Sequence, residues 1–143
     1  MLTALVSSAR AAEPANVGGI RAINAPNVPQ PAGGYSQAVE VTARRLLFIS
    51  GQIPVDDAGE VPADFDAQCR LVWAAIDAQL RAAGMEFRHL VKVTTYLSDR
   101  RFAGENSRIR REVLGSHAPA LTVVITGIYD PRWYLEIEAV ADD

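Results

Sequence analysis

Phe65, Cys69, Val72, Trp73, Ile76 and Leu80 recur at steps of three and four along an otherwise polar stretch, and this stripe restricts the fold more than any other feature of the chain. A helix that is apolar along one side only must lie against another apolar surface. Pro62, Ala63 and Asp64 stand at its entrance, and Gly84 stands where a left-handed cap would end it. The surface it needs is supplied by short runs of strand formers. Leu46 to Ser50 and Leu90 to Leu97 are such runs, and Leu121 to Ile125 and Trp133 to Ala141 follow. Tyr35 to Thr42 alternates polar and apolar residues, and Ala43, Arg44 and Arg45 connect it to Leu46, which predicts a hairpin. Ser98 and Asp99 cap a second helix carrying Phe102, Ile109, Val113 and Leu114 and closed by Gly115. In the final strand Trp133, Leu135, Ile137 and Ala139 share one face, while Tyr134, Glu136 and Glu138 share the other.

The predicted order is β-β-α-β-α-β-β, an α+β arrangement with a mixed sheet of five or six strands and two helices packed on one face. Two helices cannot cover both sides of such a sheet. The bare face predicts a homo-oligomer. The 143 residues suffice for one domain, and 49% hydrophobic with 22% charged residues is ordinary for a globular protein. Met1 to about Gly34 is rich in Ala, Pro, Gly and Asn; residues 1–21 read as a flexible N-terminal extension and 22–143 as the folded domain, entered through Pro26, Pro29 and Pro31. Leu2 to Ala9 has the length of a short signal core, but no positive charge precedes it and Arg10 follows it. A cytoplasmic protein is the expectation.

A formal charge of -3 argues against nucleic acid as the partner, and Arg108, Arg110 and Arg111 read as a solvated helix face. Cys69 is the only cysteine, so no internal disulfide forms, and its place on the stripe makes it a buried hydrophobe before it is a reactive thiol. His89 and His117 have no acidic or cysteine partner at ligand spacing, so no metal site and no cofactor are assigned. No apolar run approaches the roughly 20 residues that cross a bilayer, so no membrane association is expected.

The stretch Phe48 to Val55, FISGQIPV, carries the chemistry. An apolar strand ends in Ser50, Gly51 and Gln52, and Pro54 then withholds a backbone donor. By itself this is a strand running into a turn. A hydroxyl and a glycine at such a corner also leave main-chain groups facing outward, as a pocket wall for a polar ligand requires. Glu136, Ser50 and Tyr35 are the polar side chains that such a pocket can draw on. Glu136 shares its face with Glu138 and reads equally well, alone, as a subunit-interface carboxylate.

Tyr35, the Ser50-Gly51-Gln52 corner, Asn106, the Ala118-Pro119-Ala120 lead-in and the Leu135-Glu136-Ile137-Glu138 ending together resemble the RidA (YjgF) family of reactive-intermediate deaminases, formerly labelled L-PSP endoribonucleases. The resemblance spans about Asn24 to Ala141. It implies the chorismate-mutase-like fold, a homotrimer with clefts between subunits, and hydrolysis of enamine or imine intermediates to a keto acid and ammonia, chemistry that needs an orienter for water, a donor for the leaving nitrogen and a dry pocket. It implies that Tyr35, Ser50, Gly51 and Asn106 line the pocket and that Glu136 orients the attacking water. One departure is sharp. Where deaminating members carry an arginine that grips the substrate carboxylate, this chain has Leu121, and a family cysteine position is Val123. A buried carboxylate facing Leu121 would lose its charged partner at a cost of about 3 to 5 kcal/mol. Leu121, Val123 and Phe102 therefore predict an apolar substrate wall, and a small imine, enamine or amide-like substrate other than 2-iminopropanoate. The alternative is a non-catalytic, metabolite-binding or chaperone-like trimer; RNA cleavage rests only on the older family label.

Overall fold

The apolar stripe forms helix α1 (Phe65–Ala82) in the computed structural model, which describes residues 19–143. Asp64 caps it, its carboxylate accepting the Ala67 N–H at 2.8 Å. At the other end Gly84 takes φ 73°, and the N–H groups of Gly84 and Met85 reach back to the carbonyls of Arg81 and Leu80 at 2.9 and 2.8 Å. The second helix, α2 (Ala103–Leu114), follows a short helical turn that Asp99 caps by accepting the Arg101 N–H at 2.8 Å. The strands are β1 (Ile20–Ile23), β2 (Ala38–Val41), β3 (Leu46–Gln52), β4 (Leu90–Leu97), β5 (Ala120–Ile125) and β6 (Leu135–Asp142).

Four of them form a ladder in the order β3-β6-β4-β5, with β4 and β5 parallel and the other pairs antiparallel. β1 and β2 form an antiparallel ribbon joined to β5 by one parallel bridge between Ser36 and Ala120. Ser36 secures that junction: its N–H donates to the Pro119 carbonyl at 3.0 Å and its hydroxyl to the Ala118 carbonyl at 2.7 Å. The result is a mixed six-stranded sheet with two helices, as the sequence predicts.

Three expectations change. The hairpin between residues 35–42 and 46–50 does not form, because β2 pairs with β1 and β3 pairs with β6. The Ala43-Arg44-Arg45 link has no residue suited to a tight hairpin turn. Instead Arg45 reaches Asp143 at 2.6 Å, and the Arg44 N–H donates to Asp142 at 3.2 Å, which swings the chain toward the end of β6. The extension expected over 1–21 lies outside the described residues up to residue 18, but Ile20 and Arg21 already belong to β1, paired with Val41 and Glu40. β6 starts at Leu135, since the Trp133 N–H is taken by the Asp130 carbonyl in a turn.

The core lies between the helices and one face of the sheet. Cys69, Val72, Ile76 and Leu80 of α1, Ile109 of α2, and Val93, Leu97, Leu135 and Ile137 of the strands are fully buried there. Alternation sends Lys92, Thr94, Tyr96, Glu136, Glu138 and Val140 to the opposite face. No element of the described chain covers it, and Phe48 stands there 73% exposed.

Candidate functional site

β3 does not run straight into its corner. Its register with β6 shifts between Ile49 and Gln52, so Ser50 and Gly51 form a bulge. Gln52 ties the bulge by donating its side-chain amide to the Ser50 carbonyl at 3.0 Å. The bulge brings the Gly51 backbone against Glu136 so closely that a Cβ on Gly51 would lie 1.8 Å from Glu136 Oε1. Close approach, with an ordinary φ, is the reason for glycine there. Ser50, Gly51 and Glu136 are thus one group.

Glu136 is half-buried and lies opposite Tyr96 across the β4–β6 ladder. The Tyr96 hydroxyl goes to Glu138, at 3.1 Å, and that hydrogen bond raises the phenol above its ordinary pKa. Ser50 also borders a groove of about 280 Å³ on the open face, with Phe48, Lys92, Thr94, Glu138 and Val140.

A second group lies at the other edge of the ladder. Leu121 is in register with Val93 and Val123 with Thr95, so both point to the helix-covered face. Leu121 packs on the core, whereas Val123 is 40% exposed at the edge. Tyr35 immediately precedes Ser36, whose parallel bridge to Ala120 lies at the start of β5. Asn106 of α2 is 1% exposed, and neither polar atom of its amide has a partner among the described residues. One chain therefore does not bring Glu136 to Leu121. The two stand on opposite faces and toward opposite edges of the sheet.

Phe102 belongs to neither group. Its ring stacks on Phe65 at 4.6 Å and meets Tyr134 at 4.8 Å, tilted by 35°, with the Arg101 guanidinium 4.7 Å away, so it anchors the start of α2. Cys69 is fully buried and burial pushes its thiol up to about 12, as befits a core residue. The expected solvated arginine face is only partly so: Arg108 and Arg111 are exposed, but Arg110 is 5% exposed. Sequence reasoning missed Ser36, whose junction role depends on a bridge to a strand more than 80 residues away. No local pattern announces such a partner. Among the described residues no helix is long and apolar enough to cross a membrane.

The family model for endoribonuclease L-PSP matches residues 25–142. A RutC family protein of Pyrococcus horikoshii, PH0854, is 39% identical over 117 residues, covering 80% of this chain and 91% of that protein. Among solved structures, YyfB of Yersinia pestis, a Rid family protein of unknown function, superposes with TM-score 0.76 at 28% identity, covering 87% of this chain and 99% of that one. TdcF of Escherichia coli, named as a candidate reactive intermediate deaminase, is 30% identical over 83% of this chain and 94% of its own. Its structure with bound serine superposes with TM-score 0.65, covering 86% of this chain and 98% of that one.

Proposed function

This chain belongs to the endoribonuclease L-PSP (RidA/YjgF) family, and from that premise we propose that it is a hydrolase of small imines, enamines or amide-like compounds, working as a homotrimer. The observation that carries the reading is the seating of the Glu136 carboxylate on the Gly51 backbone at the β3 bulge. A carboxylate so placed is fixed at an open corner, where it can take a proton from water as that water attacks a C=N carbon. The C–O bond forms as the C=N π pair moves to nitrogen, which receives the proton that Glu136 took. The hydroxyl of the resulting carbinolamine then gives up its proton, a proton reaches the nitrogen, and the C–N bond breaks to leave ammonia and a carbonyl product. Ser50 and Tyr35 supply polar contacts for the reacting nitrogen and oxygen.

The corner group and the edge group of one chain face away from each other, and this supports a site made between copies. Ser50, Gly51 and Glu136 of one copy would meet Tyr35, Asn106, Leu121 and Val123 of the next. The partner is a small molecule in that cleft. Leu121 and Val123 present an apolar wall to the reacting centre, so an acid group attached directly to the C=N carbon, as in 2-iminopropanoate, fits poorly.

The test is ammonia release from neutral imines generated by an amine oxidase, with 2-imino acids generated by an amino-acid oxidase side by side. Turnover of neutral imines that falls by about 100-fold or more in Glu136→Gln supports the proposal. Equal rates for wild type and variant overturn the role of Glu136. Ligand binding with no compound ever consumed would instead establish a non-catalytic binding trimer.

A further inference from the structure

Five arginines lie on the two helices, and three of them are in ion pairs. Arg70 and Arg108 share Asp66 and Glu112 at 2.7 to 2.9 Å, and Arg81 pairs with Asp77 at 2.6 Å. Arg110 and Arg111 make no such pair among the described residues. Both instead turn to one neutral oxygen, the Ser107 hydroxyl, at 3.2 Å from Arg110 and 3.4 Å from Arg111. Both also flank Gly34, where an added Cβ would lie 3.3 Å from Arg111 Cγ and 4.0 Å from Arg110 Nη2.

Arg110 is the more telling of the two. It is 5% exposed, its Nε–H has no acceptor among the described residues, and the charges nearest to it include its like-charged neighbour Arg111. One turn earlier on the same helix face is Asn106, whose buried amide also has no partner among the described residues. Two guanidinium groups around one hydroxyl, with a buried amide beside them, gather donors on one face of α2, and each guanidinium is a fork suited to a planar anion. Exposed Arg111 keeps one side of the cluster open to solvent.

We propose that Arg110 and Arg111, with Asn106, hold an anionic group of the substrate from α2. This rests on the enzyme reading above and specifies its substrate. Gly34 leads through Tyr35 to Ser36, which is bridged to Ala120 at the start of β5, so the cluster borders the strand that carries Leu121. The apolar wall and the cations are neighbours but not the same place. The substrate class that satisfies both is a small imine or enamine whose carboxylate is separated from the C=N carbon by a short apolar spacer.

The probes are levulinate, whose carboxylate is two methylenes from its ketone, pyruvate, whose carboxylate is adjacent, and neutral pentan-2-one. Calorimetric titration of the assembled wild-type protein is expected to give levulinate at least about tenfold tighter binding than either of the others. Arg110→Gln should erase that advantage and leave pentan-2-one unchanged, while Arg108→Gln should keep it. If Arg110→Gln does not fold, Arg110→Lys and Arg111→Gln decide, and each must weaken levulinate selectively. The proposal fails if levulinate shows no advantage, or if the advantage survives without Arg110. It also fails if Arg110→Gln changes the sedimentation of the assembly but not the binding ratio, for then a carboxylate of a second copy is the counter-ion. Glu136→Gln separates the two readings, since it should retain levulinate binding while losing turnover. Arg110-dependent binding without any turnover in the wild type would sink the enzyme and spare the anion site, and Glu136-dependent turnover indifferent to Arg110 would do the reverse.

Discussion

The Gly51 backbone and the Glu136 carboxylate occupy space that admits no further atom. With the Cβ position only 1.8 Å from Oε1, Gly51→Ala forces either the carboxylate or the bulge to move. The expected cost is about 1 to 3 kcal/mol of stability. Turnover should drop by about 100-fold, because a displaced base loses its attack geometry. Urea denaturation and the ammonia assay measure the two effects separately, and an alanine variant with unchanged kcat/KM would mean that the carboxylate is not used where it sits. Cys69 makes a second residue-scale prediction. Its thiol is pushed from an ordinary 9.0 to about 12, first by desolvation, so the folded chain holds a proton that the unfolded chain releases more readily. The resulting contribution to stability is full below about pH 9 and is lost as the pH rises from there toward 12. Denaturation midpoints at pH 8 and pH 10.5 should differ less in Cys69→Val than in the wild type.

Among the elements, α1 is held by its ends and by its neighbour. Gly84 at φ 73° closes the helix, and Gly84→Ala should cost about 1 kcal/mol by placing a Cβ in the left-handed region. Asp64→Ala removes the cap on Ala67 at a similar cost of about 1 kcal/mol. Between the helices, Asp66 and Glu112 alternate with Arg70 and Arg108, and hydrogen bonds from Arg70 and then Arg108 hold both carboxyls below their ordinary values of 3.8 and 4.5. A depressed carboxyl stabilises the fold above its unfolded pKa and loses that effect as the pH falls. The lattice is exposed, so its effect is small and screened by salt. The melting temperature should decline between pH 4.5 and pH 2, and Asp66→Asn should flatten that decline; an identical decline in the variant would remove the lattice from the account.

On the scale of the whole molecule, the bare sheet face decides what the chain becomes. Phe48, Val140 and Val124 interrupt a row of Lys92, Thr94, Tyr96 and Glu138, a mixture suited to burial against a like surface rather than to solvent. Phe48, 73% exposed in one chain, should be covered in the assembly. Phe48→Lys is expected to split a trimer into monomers that keep their far-UV spectrum but lose turnover, as read by sedimentation equilibrium. A wild type that sediments as a monomer at micromolar concentration would end the inter-subunit site.

What could be read from the chain alone was whatever depends on neighbours in sequence. The α1 stripe, its Asp64 and Gly84 ends, and the β4 and β6 alternations are set by spacing within a few residues, and the SGQ corner with the Glu136 strand was enough to indicate the family. Tertiary structure decided which strands pair, because the loss of the expected β2–β3 hairpin turned on Asp142 and Asp143 capturing the Arg44-Arg45 link from the far end of the chain. It also decided that Glu136 and Leu121 lie on opposite faces, that Phe102 is an anchor, and that Arg110 is buried without a counter-charge among the described residues. The reason is common to all of these: periodicity fixes the side of an element on which a residue lies, while its partners are chosen by the packing of elements that are distant in sequence.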